Sequence, residues 1–511
     1  MVDSADPWRL SRRRFLVGAA ALSATAITGC QRDSAAAPSG AVSRDGIAAA
    51  EARRPHTGRT VSSTVTAQRT TVDFGGRVAE TIAYNDTVPG PLVRASVGDE
   101  LAVTVRNRLG HATSVHWHGI ALRNDMDGAS PATPDIDDGG EFTYRFSVAH
   151  PGTYWAHPHT GLDADTGLYF PVIVDDPSEP SRYDAEWVVM LDDWTDGVGP
   201  SPAQVYERLR SGSGSGHNMP GMDGMPGMNG GAGMGAMGGA GSAALGGDAG
   251  DVDYPMYVVN GRNAQNPSTF RTRPSQRVRI RLINAGSDTA FRVALAGHRM
   301  TITHTDGFPV LPTDVDAVLI GMGERYDVVV TAGDGVFPLV AAAEGKGAST
   351  RALLVTAQGA TPPPDYTPPE LQGRLGTVEG LAASPEVTFD SAPIDTELPV
   401  ELAGSMTNYD WTINGLSFAK TRPLTVREGQ RAALTFRNMS MMWHPMHLHG
   451  HTFEVLGRDG RPGARKDTVI VLPMQQLRVI LAADNPGVWM LHCHNTYHQE
   501  AGMMTSLDYT R

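Results

Sequence analysis

Arg277-Val278-Arg279-Ile280-Arg281-Leu282-Ile283-Asn284 alternates polar and apolar side chains and stops at an asparagine. That period of two belongs to an extended strand with one face turned to a core. Two other runs read the same way. Leu101-Ala102-Val103-Thr104-Val105 leads to Asn107, and Arg431-Ala432-Ala433-Leu434-Thr435-Phe436 leads to Asn438. Short alternating runs between turn signals predict β-sandwiches. Their recurrence at intervals of about 150–180 residues predicts one domain repeated three times. No long stretch holds a 3.6-residue period, so the expected class is all-β.

Domains are expected at 59–178, 179–360 and 385–511, with a Pro-rich join over 361–384. Inside the second, residues 211–250 are dominated by glycine and are expected to form a mobile loop. The 58 Gly and 35 Pro of the whole chain favour turn-rich β structure over a helical bundle. The formal net charge is −13 and basic residues cluster only near the N-terminus, which argues against a nucleic-acid partner. No apolar run approaches the ~20 residues that span a bilayer. Two cysteines, Cys30 and Cys493, are too few for a disulfide scaffold.

The first 30 residues read as an address. Ser11-Arg12-Arg13-Arg14-Phe15-Leu16 resembles a twin-arginine export motif, followed by a short apolar stretch to Ile27. Ile27-Thr28-Gly29-Cys30 resembles a bacterial lipobox, whose cysteine is lipidated. Residues 31–58 then read as a flexible tether. The expectation is export to the cell envelope or periplasm, with a membrane anchor at Cys30.

Ten of the 17 histidines fall into four groups: His116-Trp117-His118, His157-Pro158-His159, His444-Pro445-Met446-His447-Leu448-His449, and His492-Cys493-His494 with His498 beyond. In a strand, His-x-His turns both imidazoles to one side. Four such pairs supply eight imidazoles, enough for three copper ions, and imidazole suits copper. Cys493 lies between two of them, so its sulfur faces the other way, toward His444. His498 and Met503 follow in reach. Two His, one Cys and a weak Met make a blue-copper site.

These segments resemble the copper motifs of the three-domain multicopper oxidases, the family of laccases, copper efflux oxidases and ferroxidases. The resemblance implies three cupredoxin-like Greek-key sandwiches and four copper ions. His444, Cys493, His498 and Met503 would bind type 1 copper. His116 and His447 would bind type 2. His118, His157, His159, His449, His492 and His494 would hold the type 3 pair. The middle domain would be a spacer without copper. Electrons would pass from a reductant through Cys493 to dioxygen, which is reduced to water. Similar oxidases place an acid where Asp127 stands, making it the proton-relay candidate; the alternative is a turn-forming Asp before Gly128. A second acid, usual directly after the last type 1 histidine, is replaced by Gln499, with Glu500 next as a substitute.

Methionine indicates the reductant. Met219, Met222, Met225 and Met228 punctuate the Gly-rich loop, and thioethers select Cu(I). Copper efflux oxidases have a substrate-binding Met where Met442 stands, and an acid where Ser440 stands. Met439 and Met441 belong to the same group, and core packing beside the copper site is an equally strong reading for them. Cu(I) oxidation is therefore the favoured activity, with phenol or Fe(II) oxidation, or a copper-sequestering lipoprotein, as alternatives.

Overall fold

The computed structural model describes residues 44–179, 183–212 and 241–510. The twin-arginine segment, Cys30 and Met219, Met222, Met225 and Met228 lie outside them.

Three β-sandwiches follow one another. In the first, the sheet Val78–Tyr84, Thr60–Asp73, Glu100–Arg108, Glu141–Ser147 faces the sheet Val93–Ser96, Phe170–Asp175, Gly152–His157, His116–His118. The second sandwich has two six-stranded sheets; the third has one of six strands and one of five. The three runs picked out by alternation occupy one position in the repeat. Glu100–Arg108, Arg277–Asn284 and Arg431–Asn438 each pair parallel with the first strand of their domain. Each also pairs antiparallel with a later strand.

The asparagines explain why each run stops where it does. Asn107 Nδ2 donates to the carbonyls of His111 and Ile136, at 2.7 and 2.8 Å. Asn284 does so to Thr289 and Ile320, and Asn438 to Met442 and Val471. Each Oδ1 accepts the backbone N–H two residues on. One buried amide thus ties the strand end to the following loop three times over.

The opening strand differs from a simple half-exposed one. Val278, Ile280 and Leu282 enter the core, yet Arg279 and Arg281 on the other face are also buried. The first domain covers that face. Arg279 and Arg281 both donate to Asp327 Oδ2, and Arg281 also donates to Thr153 Oγ1 at 2.8 Å. Burying these charges is tolerable only because each is paired and hydrogen-bonded.

Three expectations need correction. The tether ends before Arg44, because Arg44–Ala52 is a helix that buries Ile47 and Ala50. Its Glu51 accepts the Ser147 N–H, and Arg54 donates to Asn485 Oδ1. Of the loop expected over 211–250, residues 241–250 pack onto the domains. Leu245 packs with Leu319, Met322 and Trp443, and Ser242 donates to Glu344. The join over 361–384 is partly built into the second domain, where Leu375–Gly376 adds a strand beside Ala317–Ile320 and Leu371 is buried.

Candidate metal centre

Strand register brings the histidine groups together. His116–His118 runs antiparallel to Gly152–His157, with His116 opposite His157. His444–Leu448 runs antiparallel to Val488–Cys493, with His447 opposite His492 and Met446 opposite Cys493. Alternation does the rest. Trp117 turns inward against Tyr144, Phe146 and Phe170. Its neighbours His116 and His118 turn outward, to meet the third domain. Burial of a ring like Trp117 stabilises by ~3–5 kcal/mol relative to Ala, which fixes the strand and hence both histidines.

Eight imidazoles meet at this boundary. Six of the eight hold their outer nitrogen in a hydrogen bond, whereas His494 Nδ1 has no partner. His116 Nδ1–H donates to the Asp127 carbonyl (3.0 Å), His447 Nδ1–H to the Asp467 carbonyl (3.0 Å), and His492 Nδ1–H to the Cys493 carbonyl (2.9 Å). His449 Nδ1–H donates to Asp127 Oδ2 (2.8 Å), and His157 Nδ1–H to the Pro158 carbonyl (3.0 Å). A carbonyl or carboxylate can only accept, so each partner fixes the tautomer and leaves Nε2 bare. Those bare nitrogens converge: His116 and His447 at 3.4 Å, His449 and His492 at 3.0 Å, His159 and His492 at 3.4 Å. His157 Nε2 has no partner at all. His118 is reversed, with Nε2–H donating to Asp467 Oδ1 (3.2 Å) and Nδ1 facing His494 Nε2 at 3.2 Å. Burial, then neighbouring histidines, push His118, His157, His449, His492 and His494 well below the usual imidazole range. Those five rings are therefore neutral.

On the opposite strand face lies a second cluster. Cys493 Sγ is 3.6 Å from Nδ1 of both His444 and His498, and these two nitrogens are 3.1 Å apart. Met503 is fully buried, and its carbonyl accepts the Cys493 N–H. His444 Nε2–H donates to Ser440 Oγ at 2.8 Å. His498 Nε2–H donates to Asp251 Oδ2 at 3.0 Å, and Tyr409 O–H donates to the same oxygen at 2.7 Å. Burial opposes charge on His498, but hydrogen bonds to Asp251 and Cys493 outweigh it and push the ring up to about 10.

Profiles of the multicopper oxidase family match residues 66–179, 185–359 and 392–511. The sequence is 57% identical to Multicopper oxidase MmcO of Mycobacterium tuberculosis, across 99% of this chain and 97% of that one. The chain belongs to the multicopper oxidase family. This multicopper oxidase is also 27% identical to Copper resistance protein A of Escherichia coli, over 86% of the chain and 91% of the relative. Among solved structures, a multi-copper oxidase from Pseudomonas thermotolerans superimposes with a TM-score of 0.66 at 26% identity, covering 88% of this chain and 99% of that one. The laccase from Botrytis aclada shares the fold at a TM-score of 0.71 and 24% identity, covering 90% of this chain and 89% of that one.

Copper, which the family implies, fits these residues. Bare lone pairs 3.0–3.4 Å apart repel one another unless a cation lies among them. A thiol with two imidazole nitrogens suits the same metal. Asp127, singled out in the sequence, touches both His116 and His449, while its Oδ1 has no hydrogen-bond partner. Glu500, the substitute expected for the missing acid, lies apart from the histidines. It ends the helix Thr496–Glu500 exposed, and no hydrogen bond joins it to a histidine among the described residues. Met442 is buried, whereas Met439 and Met441 are exposed and do not pack in the core. Sequence reasoning missed Asp251, Ser440, Asp467 and Arg325. Of these, Lys466-Asp467, a charged pair opening the apolar run Thr468–Val471, carried a readable signal.

Proposed function

We propose that this multicopper oxidase oxidises Cu(I) and couples that oxidation to the reduction of dioxygen to water, as a copper-detoxifying enzyme. Four substrate ions give four electrons, which dioxygen takes up with four protons to form two waters. On this reading His444, Cys493, His498 and Met503 hold type 1 copper. His116 and His447 hold type 2. His118, His157, His159, His449, His492 and His494 hold the type 3 pair. Copper bound there supplies one-electron chemistry that side chains lack. The chain supplies alignment and protons. Cys493 is joined to His492 and His494 by single peptide units, so the shortest covalent path between the two centres is the strand itself. Asp127 orients His449 with one oxygen and leaves the other able to carry a proton at the cluster.

The observation that carries the substrate is the exposure of methionines on the segments next to Ser440. Four of the seven large apolar side chains exposed among the described residues are methionines. Met439 and Met441 flank Ser440, the residue that accepts from His444, and the Met474 N–H donates to the Ser440 carbonyl at 3.3 Å. Exposed at 41%, 72% and 60%, these three methionines present soft ligands beside a copper-binding histidine. Asp251 against His498 adds a carboxylate, which favours a cationic reductant over a neutral phenol.

Oxygen uptake by copper-loaded protein tests this. Replacing Met439, Met441 and Met474 by Ser should slow uptake driven by Cu(I) and leave uptake driven by a phenol unchanged. Equal loss on both substrates, or faster turnover of the phenol in the native protein, favours a laccase. The reading also includes twin-arginine export and lipidation at Cys30. Acyl labelling that survives Cys30→Ser would exclude that anchor.

A further inference from the structure

The middle domain holds none of the proposed copper ligands, yet one of its side chains reaches the cluster. Arg325 Nη1 and Nη2 clamp the Asp467 carboxylate at 2.7 and 2.5 Å, with both side chains fully buried. Its Nε donates to the Thr153 carbonyl of the first domain at 3.0 Å. A single guanidinium therefore touches all three sandwiches. Asp467 in turn accepts from His118 Nε2 through Oδ1 and from His447 Nδ1 through its backbone carbonyl. Those are one histidine from each of the two copper-binding domains.

The surroundings are shaped for this clamp. Gly119, directly after His118, has φ +84°, and a Cβ there would overlap the Arg325 guanidinium. Gly323 has φ +82°, and a Cβ there would come 2.8 Å from His494 Cδ2 and 2.9 Å from His118 Cε1. The turn that carries Arg325 thus lies directly against the histidines. A second buried ion pair runs alongside. Lys466 Nζ lies 3.2 Å from Asp306 Oδ2 and 3.1 Å from Glu324 Oε1, and Asp306 accepts the backbone N–H groups of Asp467 and Thr468.

We infer that Arg325 is a positioning residue for the trinuclear centre: by holding Asp467 bidentately, the middle domain fixes the ring orientations of His118 and His447. The middle domain is then a working part of the site. A point charge does not reproduce the guanidinium fork, so lysine should do this job poorly. The inference rests on the proposed copper assignment for His118 and His447, and the type 1 centre provides an internal reference.

The test uses copper-loaded full-length protein. Three quantities are read: the type 2 electron paramagnetic resonance signal, the rate of copper loss to a chelator, and the blue type 1 absorption. Loss of an outer hydrogen-bond partner lowers metal affinity by roughly 10–100-fold. Arg325→Gln should therefore lose type 2 copper at least ~10-fold faster while the blue absorption per protein persists. Arg325→Lys should fall between. Glu324→Gln breaks the neighbouring ion pair and should lower the urea midpoint without faster copper loss. Native retention of the type 2 signal in Arg325→Gln overturns the inference. So does equal copper loss in Glu324→Gln, which would make interdomain stability the cause. If Arg325→Gln does not fold, Arg325→Lys decides, and native behaviour there overturns it. Absence of any type 2 signal in native protein that keeps its blue absorption would instead refute the copper assignment.

Discussion

Replacing Asp251 by Asn changes one charge at the proposed type 1 centre with little change of shape. The carboxylate accepts from His498 Nε2 at 3.0 Å and from Tyr409 at 2.7 Å, and the ion-paired side chain is 2% exposed. A negative charge held there favours the more positive, oxidised state of a metal on His498. A hydrogen bond to a charged group is worth ~1.5–3 kcal/mol. For one electron a tenfold ratio is about 59 mV, so losing the charge should raise the potential by roughly 60–130 mV. Redox titration following the blue absorption measures this directly. The same variant should slow Cu(I)-driven oxygen uptake more than phenol-driven uptake, because the cation loses its attractor. A shift below ~20 mV or toward lower potential, against that expected size, would refute the reasoning. Asp251 would then be a spectator of the His498 ring.

Three further outcomes are expected. In copper-free protein His498 is pushed up to about 10, so its charged form adds stability that is complete below the ordinary ~6.5 and is lost as pH rises through about 10. Metal must displace that proton and bind the sulfur as thiolate, so the apparent affinity at the cysteine site, followed by thiolate absorption with Co(II), should rise by at least about one log unit per pH unit between pH 7 and 9. Asp327 is fully buried; burial acts to raise its carboxyl, but Arg279 and Arg281 hold it well below the usual range. It therefore adds stability above pH ~4 that is lost as pH falls further, and Asp327→Asn should cost ~3–5 kcal/mol at pH 7 and progressively less in acid, measured by urea unfolding. Asp127→Asn should lower steady-state oxygen reduction by about 10–100-fold while the blue absorption stays, read by oxygen uptake and spectrophotometry.

The repeated strands were legible because alternation and a terminal asparagine are local signals. The histidine pairs were legible for the same reason: His-x-His fixes sidedness within three residues, and the register of His447 with His492 follows once the strands pair. The partners that orient the rings were not. Asp251 meets His498 across 247 positions and Arg325 meets Asp467 across 142. No periodicity encodes such a meeting. Burial of Arg279 and Arg281 was equally hidden, since alternation shows which face a side chain takes and not whether another domain covers it.

The histidine pairs that close the cluster are far apart in the chain: 331 positions for His116 with His447, and 376 for His118 with His494. On the proposed assignment, copper at this boundary would work as a clasp between the first and third domains. Neither half can offer the full donor set alone, so the clasp cannot fasten until the last strand is in place. Contacts of such long range form late and slowly. Metal occupancy of this cluster would then be a certificate of completed folding, one that a truncated or half-folded chain cannot present.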